Sequence, residues 1–286
     1  MKTVSLSNQT KVSNFGIGTW YLGEKQRNHD VELEVLKTAV LEGVKVFDTA
    51  EMYGAGGAEL LLGEMLQFLS ERQRQELFVV SKVYPHNAGR TTIFKACDAS
   101  LHRLGMKTLD LYLLHWRGSI PLSETVDCME ELVKRGKIKA WGVSNFDTED
   151  MKELLSVPKG KNCRVNQVLY HLGSRGIEYN LKPYMDDLQI ATMAYCPLAQ
   201  GGSLRRNLLR NAAILEVGKR HALNPIQVLL AFTLAQPNMI SIPRTGSIEH
   251  LQELLAVRNI TLTQEDLKLL DTEFPKPTEK EYLDIM

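Results

Sequence analysis

The sequence predicts an α/β fold: a closed (β/α)8 TIM barrel with an N-terminal β-hairpin and extra C-terminal helices. Three observations carry this expectation. Apolar runs recur along the 286 residues, starting near Phe15, Val44, Leu77, Leu109, Ile138, Val165, Ile190 and Met239. The stretches between them follow the period of amphipathic helices, and continuous apolar strands alternating with such helices imply a parallel sheet covered on its faces. An open, doubly wound sheet would carry a Gly-x-Gly-x-x-Gly turn after its first strand. The nearest match, Gly16-Ile17-Gly18 followed by Gly23, has the wrong spacing, which favours the barrel.

The elements follow in order. Val4, Leu6 and Val12 alternate around a Ser-Asn-Gln-Thr turn at 7–10, the pattern of a hairpin that would plug the barrel floor. Asp30 is expected to cap a helix with Val31, Val35, Leu36, Ala39 and Val40 on its buried face, ended by Gly43 in a left-handed conformation. Ile93, Cys97, Leu101 and Leu104 form a second stripe closed by Gly105. Ser123 opens a third helix through Val126, Met129 and Val133 to Gly136, and Asp147 caps a shorter one through Leu155. Asn224-Pro225 starts a long helix through Leu234, Ser247 and Thr263 begin two more, and the segment from Pro275 is expected to be extended. No linker divides the chain, so residues 1–286 are read as one domain.

Composition narrows the function. Thirty-four basic residues balance thirty-four acidic ones, so no global field favours nucleic acid or an anionic membrane. No apolar run is long enough to span a bilayer, and the N-terminal stretch has no apolar core of a secretory signal. Cys97, Cys128, Cys163 and Cys196 show no metal-ligand spacing and read as small hydrophobes in a reducing compartment, which points to the cytoplasm. No metal and no obligate protein partner is indicated.

Six of the apolar runs end on a polar residue able to do chemistry: Asp48, Lys82, His115, Asn145, Gln167 and Tyr195. In a parallel barrel the strand C-termini converge on one rim, so these six would crowd one mouth. Asp48 and Tyr53 share the segment DTAEMYG. A close ammonium from Lys82 would lower the pKa of the Tyr53 phenol, Asp48 would keep that lysine charged, and His115 could polarise a carbonyl oxygen. Taken singly, each has a plain structural role: a turn-forming Asp, a packed Tyr, a snorkelling Lys. Their combination in register favours catalysis.

The segments DTAEMYG, VVSKV and LYLLHW, holding Asp48, Tyr53, Lys82 and His115, resemble the defining motifs of the aldo-keto reductase superfamily. The resemblance runs from GIGTW to the last helices. It implies NADP(H) bound in extended form without a Rossmann fold, hydride transfer to a carbonyl carbon, and Tyr53 as the acid. Ser144, Asn145 and Gln167 match the family's grip on the nicotinamide carboxamide, and Tyr195 its stacking tyrosine. Thr19 and Trp20 match residues beside the nicotinamide, and Leu198, Gln200 and Gly201 belong to the loop along the pyrophosphate.

Within IPRTGSIEHLQEL, Arg244, Thr245 and Ser247 match the places that meet the 2′-phosphate. His250 stands where many members carry an Arg, and Leu254 where many carry an Asn. Arg244 remains as one strong cation, so NADPH is the favoured carrier, but a single planar Arg provides only part of the usual clamp and NADH is left open. The basic cluster Arg205, Arg206 and Arg210 could help neutralise phosphates, although a solvated helix face is the favoured reading. Trp20, Tyr84 and Trp116 are expected to line a shallow, open substrate pocket, because the loop after His115 and the C-terminal tail are short. Phrases such as YCPLAQGG resemble bacterial members that reduce methylglyoxal and related aldehydes. Two rival readings stay open: an aldolase-like barrel using Lys82 as a Schiff-base nucleophile, and a nucleotide-sensing barrel with little turnover.

Overall fold

The apolar runs form the staves of a closed parallel barrel in a computed structural model that describes residues 2–7 and 10–286. The hairpin strands β1 (Thr3–Ser5) and β2 (Lys11–Ser13) pair antiparallel, while Asn8 and Gln9 of the expected turn lie outside the described residues. Eight strands follow: β3 (Gly16–Gly18), β4 (Val46–Asp48), β5 (Phe78–Val83), β6 (Leu109–Leu114), β7 (Ile138–Ser144), β8 (Val165–Leu169), β9 (Ala191–Tyr195) and β10 (Met239–Ile242). Each pairs in parallel with the next. Closure comes from a parallel bridge between Phe15 and Ser241 and from the Gly18 amide donating to the Pro243 carbonyl at 2.9 Å.

Helices wrap this sheet: α1 (His29–Leu41), α2 (Gly57–Gln67), α3 (Glu71–Gln75), α4 (Ile93–Leu104), α5 (Leu122–Lys134), α6 (Thr148–Ser156) and α7 (Leu181–Asp187) come first. Then come α8 (Gly202–Leu209), α9 (Ala212–His221), α10 (Pro225–Ala235), α11 (Ile248–Ala256) and α12 (Gln264–Glu273). Asp147, Asn224 and Thr263 close capping boxes, and Ser247 caps α11, as their positions predict. Gly43, Gly105 and Gly136 take the positive φ that ends their helices.

Two starts differ from expectation. Asn28, not Asp30, caps α1 by accepting from the Val31 amide; Asp30 lies in the first turn, where a carboxylate complements the helix dipole. The phase then turns Val31 outward and buries Glu32 and Leu33 with Val35, Leu36, Ala39 and Val40. The third predicted helix begins at Leu122, behind Pro121, with no side-chain cap from Ser123.

Strand alternation separates two cores. Val46, Val80, Leu111, Leu113, Val165, Met193, Ile240 and Ile242 fill the barrel interior, and Val4, Leu6 and Val12 of the hairpin pack against them, closing the floor. Phe47, Val79 and Tyr112 point the other way and join the sheet–helix core. Burying each such side chain contributes roughly 1.5–3 kcal/mol. Among the described residues, no helix is long and apolar enough to cross a membrane.

Candidate active site

The same two-residue period carries the interior face upward from the apolar plug to polar groups. Val46 leads to Asp48, Val80 to Lys82, Leu113 to His115, Val165 to Gln167, Met193 to Tyr195 and Ile242 to Arg244. Ser144 ends β7 on this face. Asn145, one residue on, would point outward in a strand but takes φ +58° and turns back into the mouth. Tyr53 arrives from the loop after β4. Gly54, Ala55 and Gly56 follow it at φ +58°, +52° and +91°, a left-handed turn that glycine tolerates at two of three positions and that delivers the chain into α2.

These side chains meet. Lys82, fully buried, donates from Nζ to Asp48 Oδ2 at 2.7 Å, to the Thr49 carbonyl at 2.9 Å and to the Tyr53 hydroxyl at 3.0 Å. Those three acceptors use all three donors of an ammonium group. Asp48 spends its other oxygen on Gln167 Nε2 at 2.7 Å. The His115 and Tyr53 rings meet edge-on with centroids 5.7 Å apart. His115 is buried, and its Nδ1 has no hydrogen-bond partner among the described residues.

Burial and the neighbouring Lys82 charge hold the His115 pKa down to about 2, so its imidazole is neutral at physiological pH. Burial pulls the Lys82 pKa down and the Asp48 carboxylate opposes it. For Tyr53 the expected lowering is reversed: burial first, then Asp48 and Cys196, raise its pKa well above the ordinary value. The phenol therefore keeps its proton. The Lys82 contact acts on a phenolate only as one forms.

A cavity of about 140 Å³ opens above this cluster, lined by Trp20, Met52, Tyr53, His115, Trp116, Ser144, Asn145, Gln167, Tyr195, Cys196, Arg244 and Met286, among others. Tyr84 does not line it; its ring meets Trp116 edge-on from behind at 5.8 Å. The C-terminal tail, expected to leave the pocket open, instead brings Met286 into it, 3.1 Å from Cys196 Sγ. Thr19 is fully buried, with its hydroxyl donated to the Asp48 carbonyl at 3.0 Å, so it braces β4 and does not line the cavity.

The amide groups form a chain. Asn145 donates from Nδ2 to the His115 carbonyl at 3.1 Å and accepts on Oδ1 from the Tyr195 hydroxyl at 2.8 Å, while Ser144 Oγ donates to the Gln167 carbonyl at 2.8 Å. With its two N–H donors given to Asp48 Oδ1 and, at 2.9 Å, to Met193 Sδ, Gln167 can offer a ligand only its side-chain carbonyl.

A second cavity, of about 440 Å³, is lined by Arg27, Glu32, Arg205, Arg244, Thr245, Ser247 and His250, among others. Arg244 lines both cavities and so links them. Its Nε donates to the Trp20 carbonyl at 3.0 Å, and its Nη2 is buried with no partner among the described residues. Burial and the nearby Arg27 charge press its pKa down. An unpartnered guanidinium nitrogen between two cavities suits an anion, and the pair of cavities suits a dinucleotide stretched from carboxamide to 2′-phosphate. Thr245 and Ser247 sit in the second cavity, though Thr245 Oγ1 accepts from the Ser247 amide at 3.1 Å and Ser247 Oγ caps α11.

Three expected contacts do not reach either cavity. Leu198 is buried among core residues, Gln200 is half-buried, and Gly201 is the residue before α8. Leu254 is likewise in the core. Missed in the sequence were Arg27, Met52 and Met286; none ends a strand, and the loop and tail paths that place them are not local in sequence. Among the described residues, no group of three His, Cys, Asp or Glu side chains could hold a metal ion.

Residues 14–272 match the Aldo/keto reductase family. The chain belongs to that family. It is 46% identical over 285 residues to methylglyoxal reductase YeaE of Escherichia coli K12, covering 100% of this chain and 99% of that relative. Glyoxal reductase of Bacillus subtilis 168 is 33% identical over 270 residues, 94% of this chain and 91% of that relative. The crystal structure of an aldo/keto reductase from Klebsiella pneumoniae in complex with NADP and acetate superposes with a TM-score of 0.95 at 45% identity, covering 100% and 99% of the two chains. The family's barrel is thus present across the chain, with the buried Asp48–Lys82–Tyr53 cluster at its rim.

Proposed function

We propose that the protein reduces small reactive aldehydes and ketones of the methylglyoxal type to alcohols with NADPH, NADH serving less well. The observation that carries this is the Lys82 ammonium bonded at once to Asp48 and to the Tyr53 hydroxyl beside a neutral imidazole. Bound NADPH supplies the hydride that ends on the carbonyl carbon. The protein supplies the rest. His115, uncharged, orients the carbonyl oxygen by hydrogen bonding without giving up a proton of its own. Tyr53 donates the proton that completes the alcohol, Lys82 steadies the phenolate left behind, and water returns the proton. Asp48 holds Lys82 charged, and Gln167 holds Asp48.

Ser144, Asn145, Gln167 and Tyr195 would hold the carboxamide end of the dinucleotide, and Arg244, Thr245 and Ser247 its 2′-phosphate. Trp20, Trp116, Met52 and Met286 would bound the acceptor pocket. The relatives named for methylglyoxal and glyoxal support small dicarbonyls as substrates. Balanced charge supports a small-molecule partner over nucleic acid, and four free cysteines suit the cytoplasm. We read residues 1–286 as one folding unit needing no obligate protein partner.

A Schiff base on Lys82 is disfavoured because an amine with all three hydrogens donated has no lone pair to attack a carbonyl. A steady-state panel of methylglyoxal and short aldehydes with both cofactors tests the reading. Carbonyl loss should track NADPH oxidation one to one, and borohydride should trap no adduct. Turnover without NADPH, or a trapped lysine, would overturn it, and tight NADPH binding without turnover would favour the sensor.

A further inference from the structure

The second cavity is more basic than the sequence motif that led to it. Arg27, in the loop between β3 and α1, and Arg205, on α8, line it together with Arg244. Neither of the first two guanidinium groups makes an ion pair or hydrogen bond among the described residues. One carboxylate, Glu32, shares the wall, and its Oε2 accepts from the Gly23 amide at 2.9 Å. Along the wall three guanidinium groups face one carboxylate, with Glu24 just outside it also acting on Arg244, so positive charge stays in excess, and the imidazole of His250 lies beside them. Like charges held together in a concave wall repel, and burial makes the repulsion worse for Arg244. A dianion would relieve it. The capped N-terminus of α11 at Ser247 adds its dipole in the same sense, and the buried, unpartnered Nη2 of Arg244 is a donor waiting for an acceptor.

Arg205 is thus set apart from Arg206 and Arg210, its neighbours in the cluster that reads as a solvated face. Those two are exposed and do not line the cavity. We propose that Arg27 and Arg205 are specificity-determining residues that complete, with Arg244, a three-guanidinium subsite for the 2′-phosphate of the dinucleotide. They do so from two elements outside the IPRTGS segment, offsetting the histidine at position 250. The inference rests on the NADPH reading above and adds which side chains select the phosphate.

The test is equilibrium binding by calorimetry, using 2′,5′-ADP, 5′-AMP, NADPH and NADH as probes on the full chain and its variants. Arg27→Ala and Arg205→Ala should each weaken 2′,5′-ADP and NADPH about tenfold, the loss of one charge-assisted contact, with far smaller effects on 5′-AMP and NADH. Arg206→Ala should leave 2′,5′-ADP affinity as it is. The inference is overturned if both variants keep the full preference for 2′,5′-ADP over 5′-AMP, or if they lose both ligands equally. Should the unaltered protein itself fail to prefer 2′,5′-ADP, the NADPH reading falls with it. A preference that survives in the variants sinks this inference alone.

Discussion

The Lys82 Nζ stands 3.0 Å from the Tyr53 hydroxyl, close enough to stabilise a phenolate as soon as one forms, while burial and Asp48 keep the resting phenol protonated. That pairing gives Tyr53 a secure proton before reaction and a stabilised conjugate base after it. Tyr53→Phe removes the proton without emptying the space. We expect kcat to fall about 10²–10⁴-fold, the usual contribution of a positioned acid, with NADPH binding retained in a fluorescence titration. A kcat within a small factor of the parent would show that the acid is another group.

Asp48→Asn should be costly to the fold as well as to the rate. Lys82 is fully buried, and the carboxylate at 2.7 Å is its counter-charge. An amide leaves an unpaired ammonium inside the barrel, a change that typically costs about 3–5 kcal/mol. Urea unfolding should show a loss of that order alongside a collapse of kcat. A variant as stable as the parent would mean that Lys82 is held neutral.

His115 makes the protein acid-sensitive. Folding depresses its pKa from 6.5 to about 2. Between those values the unfolded chain binds the proton and the folded protein does not, so stability present above pH 6.5 is lost as pH falls through this window, by up to about 1.4 kcal/mol per pH unit. His115→Asn should flatten that slope between pH 6.5 and 4 in paired urea-unfolding series. Because the imidazole stays neutral, the pH–rate profile should also lack a step near pH 6.5. Identical slopes in parent and variant would refute the assignment.

Much of this site was legible because β-strands have a period of two and a parallel barrel collects one set of strand ends. Asp48, Lys82, His115, Gln167 and Tyr195 could be placed together from those facts alone, although β8 continues past Gln167 to Leu169. Helix ends were legible where a single residue type satisfies the backbone, as at Asp147, Asn224 and Gly105. Asn28 and Asp30 both suit the start of α1, one as cap and one as first-turn acid, and local chemistry does not separate them. Thr19 and Leu198 resembled ligand contacts, but a threonine hydroxyl can serve the backbone as readily as a cofactor, and a leucine in a loop can serve the core. The positions of Arg27, Arg205 and Met286 depend on how distant segments pass one another.

Arg244→Ala should separate the two cofactors. Its Nε is tied to the Trp20 carbonyl, which leaves the unpartnered Nη2 as the group free to meet an anion. Losing that contact should weaken NADPH about tenfold and NADH much less, read as Kd for each. An equal loss for both would place the side chain away from the 2′-phosphate and make it a brace for the Trp20 loop.

Met286 should set the size of substrate accepted. Its thioether touches Cys196 and lines the cavity opposite no charged group except Asp48 and Arg244, alongside the indoles of Trp20 and Trp116. The tail that carries it is tethered by Lys280 pairing with Asp147 at 3.4 Å and by Ser174 bonding to Asp284, and the half-exposed Met286 side chain reaches the cavity through its contact with Cys196. Met286→Ala removes apolar contact from small aldehydes and gives room to larger ones. In an enclosed apolar pocket one methylene contact is worth about 10–200-fold in kcat/KM, and the half-exposed Met286 contributes less than that. The ratio of kcat/KM for benzaldehyde over methylglyoxal should therefore rise by at least about threefold, through KM more than kcat. A ratio unchanged by the substitution would mean that the tail bounds the cavity without touching the substrate.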